Sequence, residues 1–257
     1  METLLDEILS NTQTIARNTE AKESFCILLS EGSTRIRTKF NPLIELDKSK
    51  KYEMALVNLE TYNSFPNIDE TNNKFVYSSD NGVTWKDLDI PTGSYEIDDL
   101  NEYIQRILKE EGHGQCIKLR PNNNTLKAVL EIDENYKVDF TVPNPISTVL
   151  GFQSRVYSEG YNESEHIVNI NSVNSLRVTS DIIGSSYANG TTENIIYSFF
   201  PSVGPGYKII ESPHNLVYLP ITLYSISSME TKLIDQNGKL INLRGEELSI
   251  RFHIREV

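Results

Sequence analysis

The sequence predicts an all-β fold, an antiparallel sandwich or barrel, and three observations predict it. Apolar residues alternate with polar ones at period two in many short runs, residues such as Gly, Asn, Asp and Pro punctuate those runs, and helical periodicity is scarce. At 257 residues the chain is long enough to bury a substantial core, and β-sandwiches of this length commonly form one domain.

Taken in order, the first strands are expected at Phe25 to Leu29, Thr34 to Phe40 and Glu53 to Glu60. The stretch Tyr52 to Leu59 is apolar on both faces, which places it centrally in a sheet. Asn81-Gly82 tolerates the positive φ that a type I′ turn needs at both central positions, so it joins Lys74 to Ser78 with Val83 to Trp85 as a hairpin. From Asp98 to Glu111, Leu100, Tyr103, Ile104, Ile107 and Leu108 fall on one stripe and Gly112 supplies a stop, which predicts a helix. In Leu126 to Ile132 the residues Leu126, Ala128, Leu130 and Ile132 share one face. After Asp133-Glu134-Asn135, Tyr136, Val138 and Phe140 alternate again, so these two runs are expected to form a hairpin. A short helix is expected at Pro145 to Leu150. Strands follow at Leu176 to Ile183, Asn194 to Phe200, Tyr207 to Glu211 and Leu216 to Pro220. Asn237-Gly238 links Ser228 to Asp235 with Lys239 to Leu243. In the last strand Leu248, Ile250, Phe252 and Ile254 face a core, while Glu247, Ser249, Arg251, His253 and Arg255 face solvent.

Residues 1–22 read as an N-terminal arm, partly helical or disordered, ahead of one domain over 23–257. Thr3 to Arg17 puts Leu4, Leu5, Ile8 and Leu9 near one face, which makes these four the candidate inter-subunit contacts.

Composition narrows the function. A formal net charge of -12, from 36 acidic and 24 basic side chains, disfavours direct nucleic-acid binding. Lys48, Lys50 and Lys51 form a short basic patch, read as a solvated loop. Glu2, Asp6 and Glu7 stand where a signal peptide needs positive charge, and no run approaches the roughly 18 to 20 apolar residues of a membrane span. Cys26 and Cys116, the two cysteines, sit in strand-like runs and read as reduced, packed thiols of an intracellular protein. The Asn-x-Ser/Thr triplets at Asn123, Asn162 and Asn189 read as turns.

Catalytic constellations are sparse. Val203-Gly204-Pro205-Gly206 precedes a strand and not a phosphate-cradling helix, and Gly184-Ser185-Ser186-Tyr187-Ala188 ends in Ala188 where a nucleophile elbow ends in glycine. His113, His166, His214 and His253 are far apart in sequence, and His253 lies between Arg251 and Arg255, which disfavours a metal cation. Asp235-Gln236-Asn237-Gly238 lacks the later ligands of a calcium loop. Glu131-Ile132-Asp133 opens like a glycosidase carboxylate pair, but Asn135 and Tyr136 fill the next candidate positions. The acidic pairs Asp98-Asp99, Asp87 with Asp89, and Glu110-Glu111 read as helix-terminal or loop charges. No catalytic residue, metal ligand or cofactor site is expected, and the chain reads as a non-enzyme.

Several blocks carry a family likeness. Val57 to Ile68 (VNLETYNSFPNI), Ile90 to Ile97 (IPTGSYEI) and Asn122 to Leu126 (NNNTL) resemble the penton, or minor capsid, proteins of Maverick/Polinton elements and adintovirus-like viruses. So do Tyr197 to Pro201, Asn215 to Pro220, and Leu233 to Gly238 with Leu243 to Glu246. The resemblance spans roughly Lys51 to Glu256 and is weaker before it. It implies a single jelly-roll antiparallel β-sandwich with an inserted hairpin and helix elaboration, for which 63–114 is the candidate segment. It further implies a homopentamer at an icosahedral vertex, bordered by a double-jelly-roll major capsid protein, in a virion assembled inside the host cell. The alternative is a β-sandwich glycan- or receptor-binding module. Trp85 is its conceivable sugar platform, although core packing or cross-strand pairing is the expectation there.

Overall fold

The computed structural model describes residues 22–257 except 171, 172, 185 and 189. The candidate arm contacts Leu4, Leu5, Ile8 and Leu9 therefore lie outside the described residues. The chain opens with β1 (Ser24–Glu31), β2 (Arg35–Glu45) and β3 (Tyr52–Tyr62). It then makes a long excursion through β4 (Lys74–Ser78), β5 (Lys86–Asp89), α1 (Ile97–Glu110), β6 (Ile117–Asn122), β7 (Lys127–Ile132), β8 (Lys137–Asp139), α2 (Ser147–Leu150), β9 (Val156–Tyr157) and β10 (Gly160–Glu163). It returns as β11 (Leu176–Ser180), β12 (Ser186–Ala188), β13 (Thr191–Glu193), β14 (Ile195–Phe199), β15 (Lys208–Glu211), β16 (Leu219–Pro220), β17 (Ser225–Ile234) and β18 (Leu248–Glu256).

Two antiparallel sheets enclose the first core. One runs β1-β18-β3-β15, with β16 also on β3, and the other runs β14-β11-β17-β2. Leaving aside the excursion, the β12–β13 hairpin and the two-residue β16, successive strands of the sandwich alternate between sheets except β11 and β14, which are paired in one. In chain order the first, eighth, third and sixth make one sheet, and the fifth, fourth, seventh and second make the other. That order is the jelly roll. Every connection but that from β11 to β14, which stay paired in one sheet, crosses to the opposite sheet, so hydrophobic alternation in the strands points into one shared interior. Met54, Leu56 and Leu59 on β3, Leu248, Ile250, Phe252 and Ile254 on β18, and Val178, Met229 and Leu233 from the facing sheet are all buried there. Each large side chain of this kind contributes about 1.5–3 kcal/mol by leaving water. The alternation expected in the last strand is present residue by residue, and β3 is central, between β18 and the β15–β16 edge.

A second core belongs to the excursion. Phe65 still packs on the sandwich, whereas the second cluster begins at Ile68, and Val168 and Ile170 pack against it before Val173 rejoins the first. The segment 63–114 is thus only the first half of the elaboration, which continues through β10. The reason is packing. The α1 stripe of Ile97, Leu100, Ile104 and Leu108 finds its partners in Ile117 and Leu119 of β6, Leu130 of β7 and Val138 of β8, all later in the chain. The helix starts one residue before the expected Asp98, with Asp99 accepting the Glu96 N–H at 2.9 Å, and Gly112 ends it at φ +81. Asn101 and Gln105 then tie it to the following chain by accepting the N–H groups of Leu119 and Gln115 at 3.0 and 2.9 Å.

Other local expectations change in detail. Asn81 and Gly82 both take positive φ, and Val83 N–H reaches the Asp80 carbonyl, so the turn forms as expected; the return strand, however, starts at Lys86 and leaves Val83 to Trp85 in the loop. The expected hairpin of Leu126–Ile132 with Tyr136–Phe140 does not form. β7 has both edges taken by β6 and β10, and β8 pairs with β4 and β9 in a different sheet. Alternation says which face a strand buries but not which neighbour it pairs with. Leu126 itself is exposed, at φ +59 in the turn before β7. Asn237-Gly238 does turn the chain, but only Gly238 of the pair takes positive φ, which is a three-residue hairpin geometry and not type I′. The short helix begins at Ser147 and ends at Gly151, whose φ is +81 and where an added Cβ would lie 2.3 Å from the His166 carbonyl oxygen. The cysteines also depart from expectation: Cys26 is exposed because it sits on the outward alternation of edge strand β1, and Cys116 is half-buried; both thiols are free.

Candidate assembly surfaces

The excursion is planted on one end of the sandwich. There the β1–β2 corner, the departure of β3, the β14–β15 loop and the β17–β18 loop meet. Asn63 N–H donates to the Tyr207 carbonyl at 2.9 Å and its side-chain amide donates to Val203 O at 2.7 Å. Ser64 Oγ donates to Leu243 O at 2.7 Å, Ser94 Oγ donates to Phe65 O at 2.9 Å, and Asn67 Nδ2 donates to Tyr95 O at 2.7 Å. A cleft of 480 Å³ opens at this seam, lined by Phe65, Pro66, Ile170, Val173, Phe200 and Val203 among others. The opposite end carries the first described residues and Val257: Glu256 N–H donates to Glu23 O at 2.8 Å and Val257 N–H to Lys51 O at 2.9 Å.

The two flanks of the sandwich differ in chemistry. One flank exposes the edges of β1 and β2. It carries Leu28, 60% exposed, and on the outward face of the β2 sheet Arg35, Arg37 and Lys39, with Lys232 from the adjacent β17; Arg177 lies on the same face but farther in, on β11 beside β14. Glu230 answers this group: Lys232 Nζ is 2.8 Å away, Arg37 Nε 2.5 Å and Arg35 Nη2 3.1 Å. Those cations, Lys232 foremost, pull its carboxyl down to about 2. The other flank exposes the edges of β14 and β15 and bares Phe200, Tyr207 and Ile210 at 73%, 70% and 65% exposure, with Lys208 beside them paired to Glu60 at 2.6 Å. Edge strands with free backbone groups and bare apolar side chains are surfaces that proteins ordinarily cover.

The positions weighed for chemistry lie apart from one another. His113 Nδ1 meets the Tyr136 hydroxyl at 2.9 Å inside the excursion, and His253 Nδ1 meets the Tyr218 hydroxyl at 2.8 Å on the outer face of the sandwich, where the Arg255 guanidinium stacks 3.5 Å from the Tyr218 ring. Among the described residues no three His, Cys, Asp or Glu side chains gather as metal ligands. Asp235 uses its Oδ1 to accept the N–H groups of Asn237 and Lys239 at 2.8 and 2.9 Å, which is turn chemistry. Glu131 pairs with Arg120 at 3.2 Å, and Glu111 is held down by Lys86 and the Tyr77 hydroxyl. Asp80, drawn to about 2, is occupied by Thr84, Ser78 and Val83 in its own turn. Trp85 is 38% exposed beside the Gly82 turn and is not a buried member of either core cluster. No described helix is long and apolar enough to cross a membrane.

No family model matches the chain, and no curated protein matches it. Among solved structures the chain is similar to the crystal structure of the selenomethionine-labelled mavirus penton protein, over 91% of this chain and 100% of that one, with a TM-score of 0.49 and 10% sequence identity.

The flanks are what sequence reasoning missed. Alternation marks Leu28 and Ile210 as outward-facing, but only the strand order brings Arg35, Arg37, Lys39, Arg177 and Lys232 onto one side of a chain whose net charge is -12.

Proposed function

We propose that this chain is a structural virion protein, the vertex (penton) subunit of an icosahedral capsid, which assembles as a homopentamer beside a double-jelly-roll major capsid protein. One observation carries the reading. Parts of three blocks that resemble penton proteins and stand far apart in sequence, Asn63 to Ile68, Gly93 to Tyr95 and Leu243, meet at the seam that joins the jelly roll to its insertion, through the hydrogen bonds of Ser64 to Leu243 and of Asn67 and Ser94. A ring needs a heterologous interface, one flank of each copy against the opposite flank of the next. The basic, Leu28-bearing flank and the Phe200–Tyr207–Ile210 flank are unlike surfaces on opposite sides of one sandwich, as that interface requires. The N-terminal segment, through Leu4, Leu5, Ile8 and Leu9, is proposed as an additional contact between copies.

The test is mass measurement in solution with negative-stain imaging across protein concentration and salt. Five-membered rings are expected, alone or with the major capsid protein, and Ile210→Glu is expected to abolish them while changing stability by less than about 0.5 kcal/mol, as exposed substitutions do. Single copies under every condition would sink the proposal.

A further inference from the structure

At the end of the sandwich opposite the insertion lies a groove of 310 Å³, lined by Leu46, Tyr52, Pro220, Ile221, Leu223 and Tyr224, with Lys51 on its rim. Leu46 and Tyr52 are buried in its floor, whereas Leu223 and Tyr224 are each 44% exposed. Its rim is basic. The loop between β2 and β3 carries Lys48, Lys50 and Lys51 against one acid, Asp47, whose Oδ1 is taken by the N–H and hydroxyl of Ser49 at 2.8 and 2.7 Å. Lys50 is spent on Glu256 at 3.0 Å, while Lys48 and Lys51 make no ion pair among the described residues.

The described chain begins beside this groove. The hydroxyl of Tyr52 donates to Glu23 Oε2 at 2.5 Å, so the first described residues stand at the same end. Their sequence is the groove's complement: Leu4, Leu5, Ile8 and Leu9 are apolar at helical spacing, and Glu2, Asp6 and Glu7 are the acids among them. The stretch from Leu9 to Lys22 spans up to about 40 Å when extended, enough to reach an adjoining copy.

We propose that residues 1–21 of one copy seat Leu4, Leu5, Ile8 and Leu9 in the Leu46–Tyr52–Leu223–Tyr224 groove of a neighbouring copy, with Glu2, Asp6 and Glu7 against Lys48 and Lys51. The choice of a neighbour rests on the ring reading; the choice of occupant rests on the groove and the segment alone.

Cross-linking of the full-length chain tests this. In a Cys26→Ser, Cys116→Ser background, an Ile8→Cys chain is mixed with a differently tagged Leu223→Cys chain and mildly oxidised. A disulfide-linked pair containing one of each is expected, and Lys48→Glu with Lys51→Glu in the receiving chain is expected to cut its yield about tenfold at low salt. Yield no greater than that of Ile8→Cys with Val83→Cys, a position on the exposed Asn81-Gly82 loop of the insertion, overturns the proposal. So does an Ile8→Cys, Leu223→Cys chain that closes only within itself. Rings seen without this cross-link reject the docking and leave the vertex reading standing; cross-linked chains that never close into fives do the reverse.

Discussion

Glu230 stands among Lys232, Arg37 and Arg35 on the outer face of the second sheet, and its side chain is only 16% exposed. Its carboxyl is held near 2 against an ordinary 4.5, so the folded protein gains from its ionisation. The sign follows: the contribution is fully present above about pH 4.5 and is lost as pH falls toward 2. Glu230→Gln is expected to lower stability by about 1–2 kcal/mol at pH 7, discounted for screening of the partly exposed arginines, because it leaves three cations facing one another. Melting curves of both proteins between pH 7 and 2 check it. The gap between them closes on acidification, and a gap that stayed constant would show the carboxylate's charge to be idle.

At the scale of elements, α1 shows what was legible. Its apolar stripe fixed both its existence and its buried face, and the same holds for β3 and β18, because alternation and helical period report directly on which side of an element meets a core. Pairing was not legible in the same way. β7 and β8 are adjacent in sequence and alternate well, yet they join different sheets, since the Asp133–Asn135 turn swings the chain across the second core and the edges of β7 are filled from elsewhere. The insertion's far boundary was hidden for a related reason: nothing local in β9 or β10 says that their partners are β8 and β7. The four candidate arm residues stay a matter of sequence, outside the described chain. A separate core makes a separate prediction. Ile104 is 1% exposed in the second cluster, so Ile104→Ala is expected to cost about 2–5 kcal/mol. Amide exchange should quicken across α1, β6 and β7 while β3 and β18 keep their protection; uniform loss in both regions would mean that the cores unfold as one.

The whole molecule divides its tasks by position. The jelly-roll order uses three strands before the insertion and the remainder after it, so the sandwich depends on residues from both chain halves and none of its central strands comes from between them. Its interior, from Ile27 to Ile254, draws no buried member from the second core. The two ends of the insertion leave the sandwich at Asn63 and rejoin it near Val173, at the same end of the molecule, and facing sheets stand only about 10 Å apart. Replacing residues 64–174 by a flexible linker of about eight glycine and serine residues therefore closes a loop that the fold already closes, at a modest entropic cost. The shortened chain is expected to keep an all-β circular dichroism spectrum and one cooperative melt, with the loss of the Ser64 bond to Leu243 O and of the Phe65 packing lowering its midpoint. It is also expected to keep the ring contacts, because the flanks that carry Arg37 and Ile210 lie wholly within the sandwich. A shortened chain that folds but no longer assembles would move the interface from the flanks to the insertion, and one that fails to fold would show that the two cores depend on each other as a single unit.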